Sequence, residues 1–278
     1  MLIALDAGHY INTPGRRVWK QFDPDETREW WLNNRIADHV EYILQDYDCQ
    51  VMRTDDRTGK RLVSIADRCK AANDADADVF FSIHHNGAIH GGAGGGIVIY
   101  TRTNPPDTSV RLQRAIYAHT VRITGLRGNR ANPMPASNVS GVLTGTTMPS
   151  VLGEFGFMDS STDAPIILTD EFSRGCAQGI VDGLVEVFDI KKGEDDLDMS
   201  IMAELNAIPG CEKVTTKDIA KKLSYLVLQA EPSGDTVEEY KKMVELLGTS
   251  GVDPDMPMIR WQSILLAGMV MLMGTQNG

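Results

Sequence analysis

Along its first 190 residues the chain switches repeatedly between two hydrophobic periods, one suited to strands and one to helices. Leu2–Leu5 is a short apolar run that stops at Asp6-Ala7-Gly8-His9, as a buried strand ending in a polar turn would. Residues 27–46 set Trp31, Ile36, Val40, Ile43 and Leu44 at helical spacing, which predicts a helix with one apolar face. Cys49–Arg53 reads as the next strand and Arg61–Asn73 as another helix. Asp78–His84 is almost continuously apolar, the signature of a strand covered on both faces. After the glycine-rich connector Gly91–Gly96, Ile97–Tyr100 reads as a strand and residues 107–124 as a helix. Met148–Gly153 reads as a further strand, and two helices follow, ending near Asp189. Such alternation predicts an α/β layered domain with a mostly parallel, twisted sheet flanked by helices.

Beyond this the pattern changes. Lys191–Asp198 is polar and charged and reads as a linker between a domain at 1–190 and a small all-helical C-terminal domain at 199–278. Residues 214–230 put Ile219, Leu223, Leu226, Val227 and Ala230 on one helical face. Residues 236–247 repeat the arrangement, with Gly248 placed to end the helix. A last apolar stretch, Ile264–Met273, is much shorter than the ~20 residues a membrane span needs, so stable membrane insertion is not expected. The tail suits wall attachment, homo-oligomer formation through its Met-rich end, or a cap on the first domain. Met199 and Met202 would also permit an internal start that yields the tail alone.

Composition narrows the class. At 42% hydrophobic and 23% charged residues, the chain can bury a core without disulfides, so any metal is expected to serve chemistry. A net charge of −11 with no basic run argues against nucleic acid as a partner. Cys49, Cys69, Cys176 and Cys211 are scattered and form no metal-binding or redox pair. Met1 leads straight into a strand-like segment with no apolar leader, so synthesis in the cytoplasm without a signal peptide is expected. The glycine run at 91–96 does not match a phosphate loop, because no Lys-Ser/Thr follows and the next element is a strand.

Candidate chemistry collects at strand ends, where open α/β sheets bind ligands. His9 follows the first strand, His84 closes the apolar third, and Glu154 follows Ser150-Val151-Leu152-Gly153. Glu29 lies early in the first helix. Two imidazoles and a carboxylate are the donor set of a catalytic zinc site, and a further carboxylate can act as general base on water. Taken singly, each has a plainer reading. His9 alone is as well explained as a turn residue, and Glu29 beside Asp25, Glu26 and Arg28 as first-turn charge matched to the helix dipole. His84 and Glu154 are harder to dismiss, since a polar group in an apolar strand needs a partner.

The stretches DAGH (6–9), EWWLNNRIA (29–37), VMRTDDR (51–57), ADVFFSIHHN (77–86) and MPSVLGEFGFMDS (148–160) resemble the zinc-dependent N-acetylmuramoyl-L-alanine amidases of the amidase-3 type. Their order and spacing match that family over roughly the first 175 residues. The resemblance implies Zn²⁺ as cofactor, held by His9, Glu29 (three residues before Leu32-Asn33) and His84 (in Ser82-Ile83-His84-x-Asn86). It makes Glu154 the catalytic acid/base and sets Arg127 and Asn86 at the substrate groove. Two positions depart from the family pattern or compete with it. His85 stands where a small residue is usual, and the motif favours His84 over it; Glu26 competes with Glu29. His39, His90 and His119 match nothing and read as surface or packing residues.

By the same resemblance the substrate is bacterial peptidoglycan, cut between muramic acid and L-alanine. The setting it suggests is a phage or prophage endolysin, acting on the wall after release from the host cytoplasm. A bacterial autolysin or sporulation amidase, a zinc exopeptidase and a catalytically silent wall-binding protein are the alternatives.

Overall fold

The computed structural model describes residues 1–126, 128, 136–137 and 140–193. The expected helical tail, Met199, Met202, Cys211 and Arg127 lie outside the described residues. In chain order the elements are β1 (Leu2–Ala7), α1 (Glu29–Leu44), β2 (Gln50–Arg53), α2 (Ile65–Asp74), β3 (Val79–Asn86), β4 (Ile97–Thr101), α3 (Asp107–Thr124), β5 (Ala136–Ser137), α4 (Gly141–Gly145), β6 (Ser150–Phe157), α5 (Ala164–Ile167) and α6 (Asp170–Phe188).

The strands form one sheet in the order β2-β1-β3-β6-β4-β5. Every pairing is parallel except β4 with β6, which is antiparallel. Alternation along the central strands divides two apolar layers. Ile3, Leu5, Phe81 and Ile83 face a core completed by α1, α3 and α6; Ala4, Phe80 and Leu152 face a smaller one completed by α2 and α4. The result is the expected layered α/β fold, with helices on both sides of a central sheet. Helices α3 and α6 approach closely because Gly179 and Gly183 lack side chains. A Cβ at Gly179 would stand 2.6 Å from Thr120 Cα, and one at Gly183 2.8 Å from the Ile116 nitrogen.

Several sequence expectations are corrected. Trp31 is 51% exposed and does not belong to the apolar face of α1; its neighbour Trp30 is buried, packed under Gly59. Helix α2 begins at Ile65, where Ser64 caps it by accepting from the Asp67 nitrogen, and not at Arg61. Strand β3 does not end at His84 but continues through His85 and Asn86. Likewise Glu154 lies inside β6, not after it. Strand β5 and the short helix α4 occupy part of the stretch between 124 and 148, where the hydrophobic pattern predicts no element.

Candidate active site

The site is assembled at the C-terminal ends of β1 and β3, from three segments that meet only in the fold. β1 delivers Gly8 and His9. The Gly8 nitrogen donates to the Ile83 carbonyl at 2.9 Å, and the ring of His84 lies directly over Gly8. A Cβ at position 8 would stand 2.1 Å from that ring, so the glycine in DAGH is a space requirement of His84. His9 takes φ 70°, a left-handed conformation uncommon for a residue with a side chain, and it swings the imidazole back over the sheet.

Arg68 on α2 holds this turn in place. Its guanidinium donates to the carbonyls of Ala7 (2.8 Å) and His9 (2.7 Å). Asp6 anchors Arg68 at 2.6 Å and also accepts from Ser82 Oγ (2.7 Å) and Thr54 Oγ1 (2.9 Å). Both charges are buried, which is tolerable only because they are paired and further hydrogen-bonded. Burial works to raise the Asp6 carboxyl, but the Arg68 charge and the Ser82 hydrogen bond outweigh it and leave it lowered.

Glu29 opens α1, where a carboxylate is favoured by the helix dipole. Its backbone nitrogen donates to the Arg16 carbonyl, and its side chain is fully buried. Oε1 lies 3.2 Å from His9 Nε2 and 3.1 Å from His84 Nδ1. Burial alone would raise Glu29; hydrogen bonds and charge from His84 and His9 hold its carboxyl well below the usual carboxylate range. One ligand atom from each of His9, Glu29 and His84 lies within 4.8 Å of the others, and the two imidazoles meet edge to face. Glu26, the competitor for Glu29, points elsewhere and pairs with Arg17 at 3.4 Å.

His85 is sorted away from this cluster by strand alternation. It faces α1, where Nδ1 lies 2.8 Å from Asn33 Oδ1, and Asn33 Nδ2 donates to the Gly8 carbonyl at 3.1 Å. Because the Asn33 amide nitrogen is already committed as donor, the His85 ring donates from Nδ1. Burial pushes His85 down to about 3, so it stays neutral. The pair explains why an asparagine follows Leu32: it ties α1 to the turn that carries His9.

Glu154 is the register partner of His84 across β3 and β6, so their side chains share a face of the sheet. Burial pushes its carboxyl up to about 7; the His84 charge opposes this and the Glu29 charge adds to it. Oε2 of Glu154 and Oε2 of Glu29 are both sealed from solvent with no hydrogen-bond partner. Arg16 Nη1 stands 3.8 Å from Glu29 Oε2, and its charge also lowers Glu154. Sequence reasoning misses Arg16, the bonds that Asn33 makes, and the Asp6–Arg68 pair. The only signal for the last is an aspartate inside an apolar strand.

The remaining described residues that the sequence singles out make other bonds. Asn86 spends Oδ1 on the Gly87 nitrogen, and its carbonyl accepts from the Met158 nitrogen. His39 pairs with Asp170 at 3.0 Å and His119 with Glu186 at 2.7 Å, both as surface residues. Cys69 and Cys176 are buried free thiols.

A buried, unpartnered carboxylate oxygen beside two converging imidazoles is a donor set in search of a cation, and it fits a divalent metal. Residues 3–186 match the family described as N-acetylmuramoyl-L-alanine amidase. The chain belongs to that family. Among the amidase's relatives is the endolysin of Bacillus phage SPP1, 29% identical over 192 residues, which are 69% of this chain and 67% of that protein. The sporulation-specific N-acetylmuramoyl-L-alanine amidase of Bacillus subtilis (strain 168) is 32% identical over 192 residues, covering 68% and 69%. The solved N-acetylmuramoyl-L-alanine amidase of Clostridium difficile 630 superposes with a TM-score of 0.60 at 27% identity, over 68% of this chain and 96% of that one. Among the described residues of the amidase, no helix is long and apolar enough to cross a membrane.

Proposed function

We propose that the chain hydrolyses the amide between N-acetylmuramic acid and L-alanine in bacterial peptidoglycan, with His9, Glu29 and His84 holding Zn²⁺ and Glu154 as acid/base. The observation that carries this is the placement of Glu154 opposite His84, beside three converging metal donors. When bound there, zinc would supply a Lewis acid for the scissile carbonyl and acidify water.

The chain's own residues do the rest. Glu154, with a carboxyl poised near neutrality, takes the proton of the attacking water and returns it to the departing alanine nitrogen. Arg16, half exposed at the rim, offers a cation to a substrate oxygen. Asn86 and Arg127 remain assigned to the substrate groove on the resemblance alone. The boundary at 191–198 and a wall-binding or self-associating role for residues 199–278 rest on the sequence pattern. The likeness to a phage endolysin supports a lytic setting, in which the protein is made in the host cytoplasm and reaches the wall after release. The likeness to a sporulation amidase supports the chromosomal alternative, and the presence or absence of a neighbouring gene for a small membrane protein separates the two.

The test is product analysis of purified peptidoglycan digested with and without a zinc chelator. New L-alanine amino termini without new reducing sugars, lost on chelation, are expected. Release of terminal amino acids would replace this reading with an exopeptidase.

A further inference from the structure

Beside the catalytic centre, the loop between β1 and α1 carries a feature that the hydrolytic groups leave unused. Trp19 is 40% exposed, yet its backbone is firmly held. Val18 beneath it is fully buried and donates to the Thr27 carbonyl at 2.9 Å; Trp19 itself donates to the Met158 carbonyl at 3.2 Å. Its own carbonyl accepts from Phe22 and Asp23. A large apolar ring displayed on a fixed loop forgoes burial that it would otherwise gain.

A second loop completes the arrangement. The nitrogens of Ala88, Ile89 and His90 all donate to Asp159 Oδ2, at 2.9, 2.8 and 2.7 Å. This sets the His90 ring 6.4 Å from that of Trp19. Gln21 and Trp19 both lie against Gly91, where a Cβ would stand 3.0 and 3.5 Å from them. Trp19, Gln21, Arg17, Lys20 and Glu26 are among the residues that line an open pocket of about 450 Å³. Arg17 and Glu26 are paired at 3.4 Å and largely offset one another as planar hydrogen-bonding groups, and Lys20 adds a cation to the lining.

Both loops hang from Met158 and Asp159, which follow β6 directly. Met158 is four residues past Glu154, so the two lie no more than about 13 Å apart along the chain. The reacting amide hangs on the lactyl arm of a muramic acid ring, so a neighbouring sugar of the same strand falls within that reach.

We propose that the Trp19 pocket is a glycan subsite, in which the indole stacks on the C–H face of a pyranose while Arg17, Gln21 and Glu26 meet its hydroxyl and acetamido groups. A stem peptide offers carboxylates to Lys20 but no broad apolar face to the indole, so the stacking surface favours the sugar. The inference rests on the amidase reading for the identity of the strand, but the pocket itself is tested separately.

The experiment compares wild type, Trp19→Ala and Trp19→Phe on a muramoyl tripeptide with a single sugar and on a tetrasaccharide carrying the same peptide. Binding of the peptide-free tetrasaccharide and of the free tripeptide is followed by tryptophan fluorescence and calorimetry. The expected result is that kcat/KM on the tetrasaccharide falls about tenfold more than on the single-sugar substrate in Trp19→Ala, mainly through KM. Trp19→Phe should recover much of the difference, and peptide-free glycan binding should depend on Trp19. Equal losses on both substrates, no loss, or a Trp19-dependent affinity for the free tripeptide instead would overturn the subsite. If wild type binds glycan through Trp19 but cleaves nothing, the amidase reading fails and the subsite stands. Cleavage without glycan binding removes the subsite and leaves the amidase reading intact.

Discussion

His84 and Glu154 stand directly opposite one another on adjacent parallel strands, β3 and β6. Neighbouring strands lie about 4.8 Å apart, so the backbone ladder sets the distance between the His84 imidazole and the Glu154 carboxyl. Neither side chain has to be placed by a mobile loop. The His9 turn is less constrained by its strand, and the structure compensates with Arg68, which grips the carbonyls of Ala7 and His9. Two of the three candidate donors, His9 and His84, therefore depend on the Gly8–His9 turn that Arg68 holds.

Gly8→Ala tests that dependence. The added Cβ would meet the His84 ring at 2.1 Å, so the imidazole must move. The expected cost is about 1–3 kcal/mol of stability, together with at least about tenfold weaker zinc binding in chelator competition. Unchanged zinc affinity with the His84 ring in place would show that Gly8 is not needed for space.

His85→Ala and His84→Ala should separate cleanly. His85 bonds Asn33 and faces away from the cluster, so its loss should leave one zinc per chain. It should lower stability in urea unfolding by about 1–3 kcal/mol, because the buried Asn33 oxygen loses its donor. His84→Ala should lose the metal. Zinc lost with His85 and kept without His84 would reverse the assignment.

Asp6→Asn should be strongly destabilising, by about 3–5 kcal/mol, since it leaves the Arg68 charge buried and uncompensated. The same pair gives wild type a pH signature. The folded Asp6 pKa lies below its unfolded value, so its contribution is complete above about pH 4 and is lost as pH falls through the folded pKa. Urea unfolding across pH 2–6 should show this acid loss in wild type and a shallower slope in Asp6→Asn. Equal slopes would remove Asp6 from the acid response.

The sequence is most legible where local chemistry is decisive. Helix α3 runs over residues 107–124 as predicted, because Pro106 precedes it and Gly125, at φ 68°, ends it. His9, Glu29 and His84 stand out in the motifs, and in the fold they converge. Strands β3 and β6 extend beyond their predicted ends, since His84-His85-Asn86 and Gly153-Glu154 interrupt the apolar pattern at the point where the strands reach the candidate site. Helical spacing puts Trp31 on the apolar face of α1, where Trp30 belongs. Adjacent tryptophans leave the helical phase ambiguous, and in the fold it is Trp30 that packs against Gly59. The contacts of Arg68 and Asn33 are invisible for a different reason. Their partners are 62 and 25 residues away in sequence, and nothing local marks such pairings.

Glu154 is assigned to the reaction and not to the metal, and the mechanism depends on that division. The direct measurement is the zinc content of purified Glu154→Gln, read beside its release of L-alanine termini from peptidoglycan. One zinc per chain is expected, with turnover reduced by about 10²–10⁴-fold or more. Loss of zinc in that variant, or turnover near that of wild type, would contradict the assignment.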